Sequence, residues 1–472
     1  MIGFPKYFCV LFVVSISISA QNKQLLYGFQ EIPQSLLQNP GSETPFTKHI
    51  GIPLLSGIYI NGGTNNSLIS KLFSNDGVAI NTKLRNIIHQ LDTGDFISVN
   101  EQLDIFNVGF QRSNDKDYVS IGFYQEADFT AYYPKDIALL FYEGNTDGNG
   151  NIDLSKSYDM SSLRYRGDVI GVFHVGISRR MNEKLTIGAR GKVYSGIFNV
   201  QSLNNKGTIS TRLDQNNAYQ HLLTNFDATL RSSGFTKTAR ETLIGDALKN
   251  LFIGGNIGLG VDLGFTYNIR ENIKVSGSML DMGFITYSNK VITYKVKGDF
   301  EVNNLGLLDP PAEETFSYWE ALSNDFNAQV DREISHKTYL TLRPLKLNGA
   351  LNYGFGKQVR KYKRATACPT FNNTATANYQ NEIGVQLYSI FRLSRPQIAT
   401  TLFYSRSVSD FLKAKITYTA DSYTFSNIGL GFSAQFGKFN IYATADNLLG
   451  YKDIYNAKKI GAQFGMNLIF DR

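Results

Sequence analysis

The stretch from Asn145 to Asp153 has the residue types and spacing of a cation-binding loop. With Asn145 at position one, side-chain oxygens fall at positions 1, 3, 5, 7 and 9, glycine at 6 and an apolar residue at 8, the order in which an EF-hand loop surrounds calcium. Position twelve is Lys156, a cation where the bidentate carboxylate belongs. Asn145, Asp147, Asn149 and Asp153 therefore form at most a weak calcium site, and the same residues equally make a solvated Asn/Gly turn. Other chemistry is sparse. His49, His89, His174, His221 and His336 are scattered, with no HExxH motif and no paired metal spacing. Gly429 to Ala434 spells G-x-G-x-x-A, but a dinucleotide fingerprint needs a strand turning into a helix there. Here the glycines alternate with Ile428, Leu430 and Phe432 in one continuous strand pattern. No nucleophile elbow or Walker loop is present, so we expect no enzyme and no cofactor. Lys357, Arg360, Lys361, Lys363 and Arg364 make a basic cluster suited to lipid headgroups or a protein partner, or simply to a solvated turn.

The elements that must carry these residues are strands. Ile257, Leu259, Val261, Leu263, Phe265 and Tyr267 alternate with Gly258, Gly260, Asp262, Gly264 and Thr266. Leu185, Ile187 and Val193 alternate in the same way with Thr186, Arg190 and Lys192, and the pattern returns at 428–436 and 460–470. Alternation alone fits a soluble sandwich or a membrane barrel. Length decides, because these runs exceed the five or so residues of an average soluble strand and match the nine to eleven needed to cross a bilayer. The connections agree. Short polar turns at 113–117, 179–184, 269–271, 407–410 and 437–438 alternate with long polar stretches near 63–100, 133–157, 204–253, 301–337 and 446–458, the outer-membrane pattern with turns on the periplasmic side. Segments starting near 50, 102, 117, 162, 184, 254, 272, 338, 381, 397, 411, 424, 439 and 459 give about fourteen strands, an even number that leaves both ends in the periplasm. The expected fold is thus all-β: a transmembrane antiparallel barrel with long extracellular loops, some of whose extended segments lengthen the walls above the membrane. The insertion 357–380 is the anomaly, a long connection on the side of the short turns.

Composition supports this class. Glycine (42), tyrosine (27) and phenylalanine (33) are abundant beside 11 prolines and one tryptophan, which suits closely packed strands with aromatic girdles. A mean hydropathy of −0.19 excludes a bundle of membrane helices. Residues 1–20, with Lys6 ahead of a short apolar run ending at Ser19-Ala20, read as a secretory signal peptide. Only Cys368 remains beyond it, so no intrachain disulfide is expected. The division is then 1–20 signal peptide, 21–48 N-terminal segment and 49–472 barrel. Arg190, Lys192, Asp262 and Lys274 point into the lumen, where buried charges need partners.

"LLQNPG" (36–41), "SGSMLDMGFITY" (276–287), "FGKFNIYATADNLLG" (436–450) and "IGAQFGMNLIF" (460–470) resemble an uncharacterised Bacteroidota barrel family similar to FadL-type fatty-acid channels and to PorV of the type 9 secretion system. The resemblance covers most of the chain after residue 20. It implies an outer-membrane location and a hatch made by residues 21–48, with the Asn39-Pro40-Gly41 turn inside the lumen. It also implies either passage of small hydrophobic molecules or, for a plugged barrel, an adaptor role in an outer-membrane secretion or assembly complex. Partners would be outer-membrane lipids with a small hydrophobic ligand or such proteins, and no nucleic acid.

Overall fold

The computed structural model describes the chain apart from residues 1–23, 65–76, 134, 146–150, 217–218, 235–254, 304–327, 359–378, 393–395, 422–424, 426, 453–456 and 471–472. The signal-peptide reading therefore lies outside the described residues.

Strands alternating apolar and polar side chains close into a ring. Its first wall strand is split into β1 (Lys48–Gly51) and β2 (Ile58–Thr64), followed by β3 (Phe96–Gln111), β4 (Asp117–Tyr132), β6 (Tyr165–Arg180), β7 (Leu185–Leu213), β9 (Ile257–Arg270) and β10 (Ile273–Tyr287). The eighth is also split, into β13 (Tyr339–Leu342) and β14 (Lys346–Gln358), and six more complete the wall: β15 (Tyr379–Phe391), β16 (Pro396–Ser407), β17 (Leu412–Ala420), β18 (Asn427–Phe436), β19 (Phe439–Asp446) and β20 (Lys459–Phe470). β20 pairs back onto β1 and β2, so the barrel is closed with fourteen antiparallel strands and no free wall edge. The exposed face is the oily one. Ile257, Leu259, Val261, Leu263, Phe265 and Tyr267 all lie outside, and Gly258, Gly260, Asp262 and Thr266 are buried within. That orientation separates a membrane barrel from a sandwich, whose apolar faces would be packed together.

The expected count and turn sides hold. The described connections after β3, β6, β9, β16 and β18 are short, and the long ones open the opposite end. The insertion joins β14 to β15 on the short-turn side, and residues 359–378 of it lie outside the described residues.

The long connections contain the extended segments expected to lengthen the wall, and two helices that were not expected. β7 runs for 29 residues, about 95 Å at strand rise, against an apolar band of about 25 Å. Its upper half pairs with β5 (Ser157–Asp159) and β8 (Tyr219–Ser233), and β8 continues through β11 (Ile292–Asn303) to β12 (Asp331–Ser335). The stretches at 63–100 and 133–157 contain helices over Ile80–Gln90 and Lys135–Glu143. Ile80, Leu84, Ile87, Ile88 and Leu91 recur at helical spacing, and Ile87 and Leu91 pack against Tyr133 and Ala138.

Candidate functional site: the filled lumen

Inside the ring lies the N-terminal segment. Residues 24–47 are almost wholly buried, with a 3-10 turn at Pro33–Leu37 that Pro33 starts at no hydrogen-bonding cost. Two apolar clusters seat it: Leu26, Phe29 and Ile32 against Tyr442 of β19, and Leu36 and Phe46 against Tyr118 of β4 and Ile469 of β20. The rest is polar. Gln34 and Asn467 exchange amide hydrogen bonds of 2.9 and 3.1 Å. Ser278 donates to the Gln38 carbonyl at 2.6 Å, Lys415 to the Tyr27 carbonyl at 2.7 Å and Ser178 to the Ser42 carbonyl at 3.1 Å. Ion pairs join Glu31 to Lys413 at 3.1 Å and Glu43 to Lys274 at 3.5 Å.

The inward glycines make room for this segment. Asn39 accepts the Gly41 N–H at 2.8 Å, closing the Asn39-Pro40-Gly41 turn, and donates to the Phe265 carbonyl. The turn presses on bare backbone: a Cβ on Gly188 would stand 2.0 Å from the Pro40 carbonyl oxygen, and one on Gly264 would stand 2.1 Å from Asn39 Oδ1. Glycine there is a contact surface, and any side chain would displace the turn.

Above the segment the lumen holds a chain of alternating charges. Arg190 pairs with Asp262 at 2.9 Å, Lys192 bridges Asp262 (2.8 Å) and Asp281 (2.6 Å), and Lys346 reaches Asp281 at 2.8 Å and Glu126 at 3.6 Å. Arg343 completes it, 2.8 Å from Glu126. Asp281 enters the lumen through a bulge: β10 spends one extra residue against β9 between Met279 and Met282, and Asp281 takes a left-handed φ of 61°. Its N–H donates to Asp262 at 2.7 Å. Arg190 links this chain to the N-terminal segment by donating to the carbonyls of Leu36 and Leu37. Between the charges and the segment is a cavity of about 60 Å³, lined by Leu37, Tyr124, Glu126, Asp128, Lys346, Tyr388 and Arg392 among others.

The predicted lumenal residues thus come together in part. Arg190, Lys192 and Asp262 share one network, while Lys274 faces Glu43 at another level. Sequence reasoning missed Asp281, Lys346, Arg343 and Glu126. Asp281 had a signal, a charge breaking the alternation in "SGSMLDMGF", which marks a bulge. The calcium candidates divide. Asp147 and Asn149 lie outside the described residues, Asp153 accepts from the Ser155 N–H and hydroxyl at 2.9 and 2.6 Å, and Asn145 donates to Thr211 and His221. Burial holds the His221 imidazole below its usual pKa, so it accepts as the neutral form. Of the basic cluster, Lys357 is exposed at the end of β14, and Arg360, Lys361, Lys363 and Arg364 lie outside the described residues.

A model described as a family of unknown function, DUF5723, matches residues 40–446, from the turn inside the lumen to the end of β19. The chain belongs to the DUF5723 family. A search of curated proteins finds no match to it. Among solved structures, this DUF5723 barrel is similar to the Ralstonia pickettii toluene transporter TbuX, at 10% identity and a TM-score of 0.41 over 93% of this chain and 94% of that one. It is similar also to the P. putida toluene transporter TodX (11%, 0.40, 97% of each) and to a Pseudomonas aeruginosa FadL homologue (7%, 0.39, 94% and 95%). Likeness this remote assigns no role to any DUF5723 residue.

Proposed function

We propose that this DUF5723 protein is an outer-membrane channel for small molecules, with residues 24–47 as its hatch. The observation that carries the reading is how the segment is held. Among the described residues every hydrogen bond between residues 24–46 and the wall involves a side chain, and the first backbone-to-backbone bond is that of Thr47 to β20. A segment held in this way can leave without opening the barrel ladder, whereas a wall strand cannot. Small hydrophobic molecules are the cargo that the FadL-type resemblance implies, while the charges lining the lumen suit a polar one. Uptake into proteoliposomes by the full chain and by a variant lacking 24–46 tests the reading. Faster uptake by the shortened barrel supports it, and equal impermeability of both defeats it. An aromatic hydrocarbon and a polar solute in the same vesicles separate the two cargo classes.

A second reading, the filled barrel as an adaptor in a secretion or assembly complex, is favoured by the β5–β7–β8–β11–β12 sheet, which extends well past the wall and offers a partner surface. Stoichiometric proteins retained in mild detergent would support it, and purification as a bare barrel would count against it.

A further inference from the structure

We propose that the cavity above the hatch binds a small zwitterion, a free amino acid or short peptide, taking its carboxylate on Lys346 and Tyr388 and its ammonium on Glu126 and Asp128. The inference rests on the channel reading and narrows its cargo.

Three observations carry it. The Tyr388 side chain is 2% exposed, lines the cavity, and its hydroxyl has no hydrogen-bond partner among the described residues. A buried phenol without a partner is costly unless something else completes it. The cavity it lines holds the cations Lys346 and Arg392 together with the acids Asp281 and Asp128, and an anionic group seated against the cations is the acceptor the hydroxyl lacks.

The second observation is the uneven tightness of the charge chain. Its other pairs close to between 2.6 and 2.9 Å, but Lys346 and Glu126 stand 3.6 Å apart. They are also its most open members, with side-chain exposures of 20% and 12%. A ligand reaching the chain meets this loose pair first. Asp128, already clasped by Arg392 at 2.6 Å, adds a second carboxylate beside it.

The third is the balance of sign. Both acids and cations border the cavity, so a lone anion or cation would face like charge on one side. A zwitterion presents each sign to its opposite and leaves no charge uncompensated. A long alkyl chain would strip water from the same charges without replacing it.

Isothermal titration of the detergent-solubilised full chain with the dipeptide alanylalanine tests the proposal. The expected result is saturable binding that is lost when both ends of the dipeptide are blocked as acetyl and amide, and no comparable binding of maltose or decanoate. Tyr388→Phe should weaken binding by roughly tenfold or more, the loss of one hydrogen bond to a charged group. Its thermal unfolding should stay unchanged, since the hydroxyl has no partner among the described residues to lose. Absence of binding, equal binding of the blocked peptide or maltose, or wild-type affinity in Tyr388→Phe would overturn it. Binding without hatch-dependent uptake would sink the channel reading and leave the site standing; hatch-dependent uptake without binding would do the reverse.

Discussion

Arg190→Met should loosen the hatch without breaking the barrel. Arg190 is 1% exposed and does two things: it pairs with Asp262 and it donates to the hatch carbonyls of Leu36 and Leu37. Truncating one member of a buried pair normally costs about 3–5 kcal/mol, because the other charge is stranded. Asp262 is not stranded here, since Lys192 at 2.8 Å and the Asp281 N–H at 2.7 Å remain on it. What is lost is the charge-assisted bond to the hatch, about 2 kcal/mol, or roughly a thirtyfold rise in the displaced population at 1.4 kcal/mol per decade. Maleimide labelling of Ser35→Cys, with Cys9 and Cys368 replaced by serine, reads that population, as Ser35 is buried in the seated hatch. Labelling should accelerate about thirtyfold while the barrel keeps its heat-modifiable migration on gels. An unchanged rate with an intact barrel would refute the claim that Arg190 holds the hatch.

Gly264→Leu places a side chain where the Asn39-Pro40-Gly41 turn sits; limited proteolysis should then cut within 24–47, and a protected segment would contradict the contact. Leu259→Arg puts a cation on the lipid face, where a charge costs about 2–4 kcal/mol at the midplane, so the denaturant midpoint in bilayers should fall, whereas Thr266→Ser on the inner face should change it little. Asp281→Asn removes a shared carboxylate but leaves Lys192 on Asp262 and Lys346 within 3.6 Å of Glu126, so it should cost about 2 kcal/mol, seen as a lower unfolding temperature; a variant as stable as the parent would show that the charge chain contributes little.

The wall was legible from sequence because a membrane strand repeats one simple constraint, apolar outward and polar or small inward, and because short turns and long loops must alternate sides. That parity fixed the count even with the insertion at 357–380 unexplained. Asp262, Arg190 and Lys192 were legible as lumenal on the same alternation. Their partners were not, because Asp281, Lys346 and Arg343 meet them across strands whose register depends on a one-residue bulge and on the Pro344 interruption between β13 and β14. Gly264 of β9 reads as close packing, but the Asn39-Pro40-Gly41 turn that packs on it comes from more than 200 residues earlier in the chain. The helix at Ile80–Gln90 was hidden by its polar face, whereas extension of the wall above the membrane was expected and is carried by β7 to Leu213.

If residues 24–47 gate the lumen as proposed, fastening them to the wall must block passage. Gln34→Cys and Asn467→Cys, whose native side chains exchange hydrogen bonds at 2.9 and 3.1 Å, can be tied by a short reducible dithiol linker in a background with Cys9 and Cys368 replaced by serine. Swelling of proteoliposomes in a panel of polar and aromatic solutes should stop when the hatch is tied and return on reduction. Swelling at the same rate in the tied and reduced states would show that the segment gates nothing.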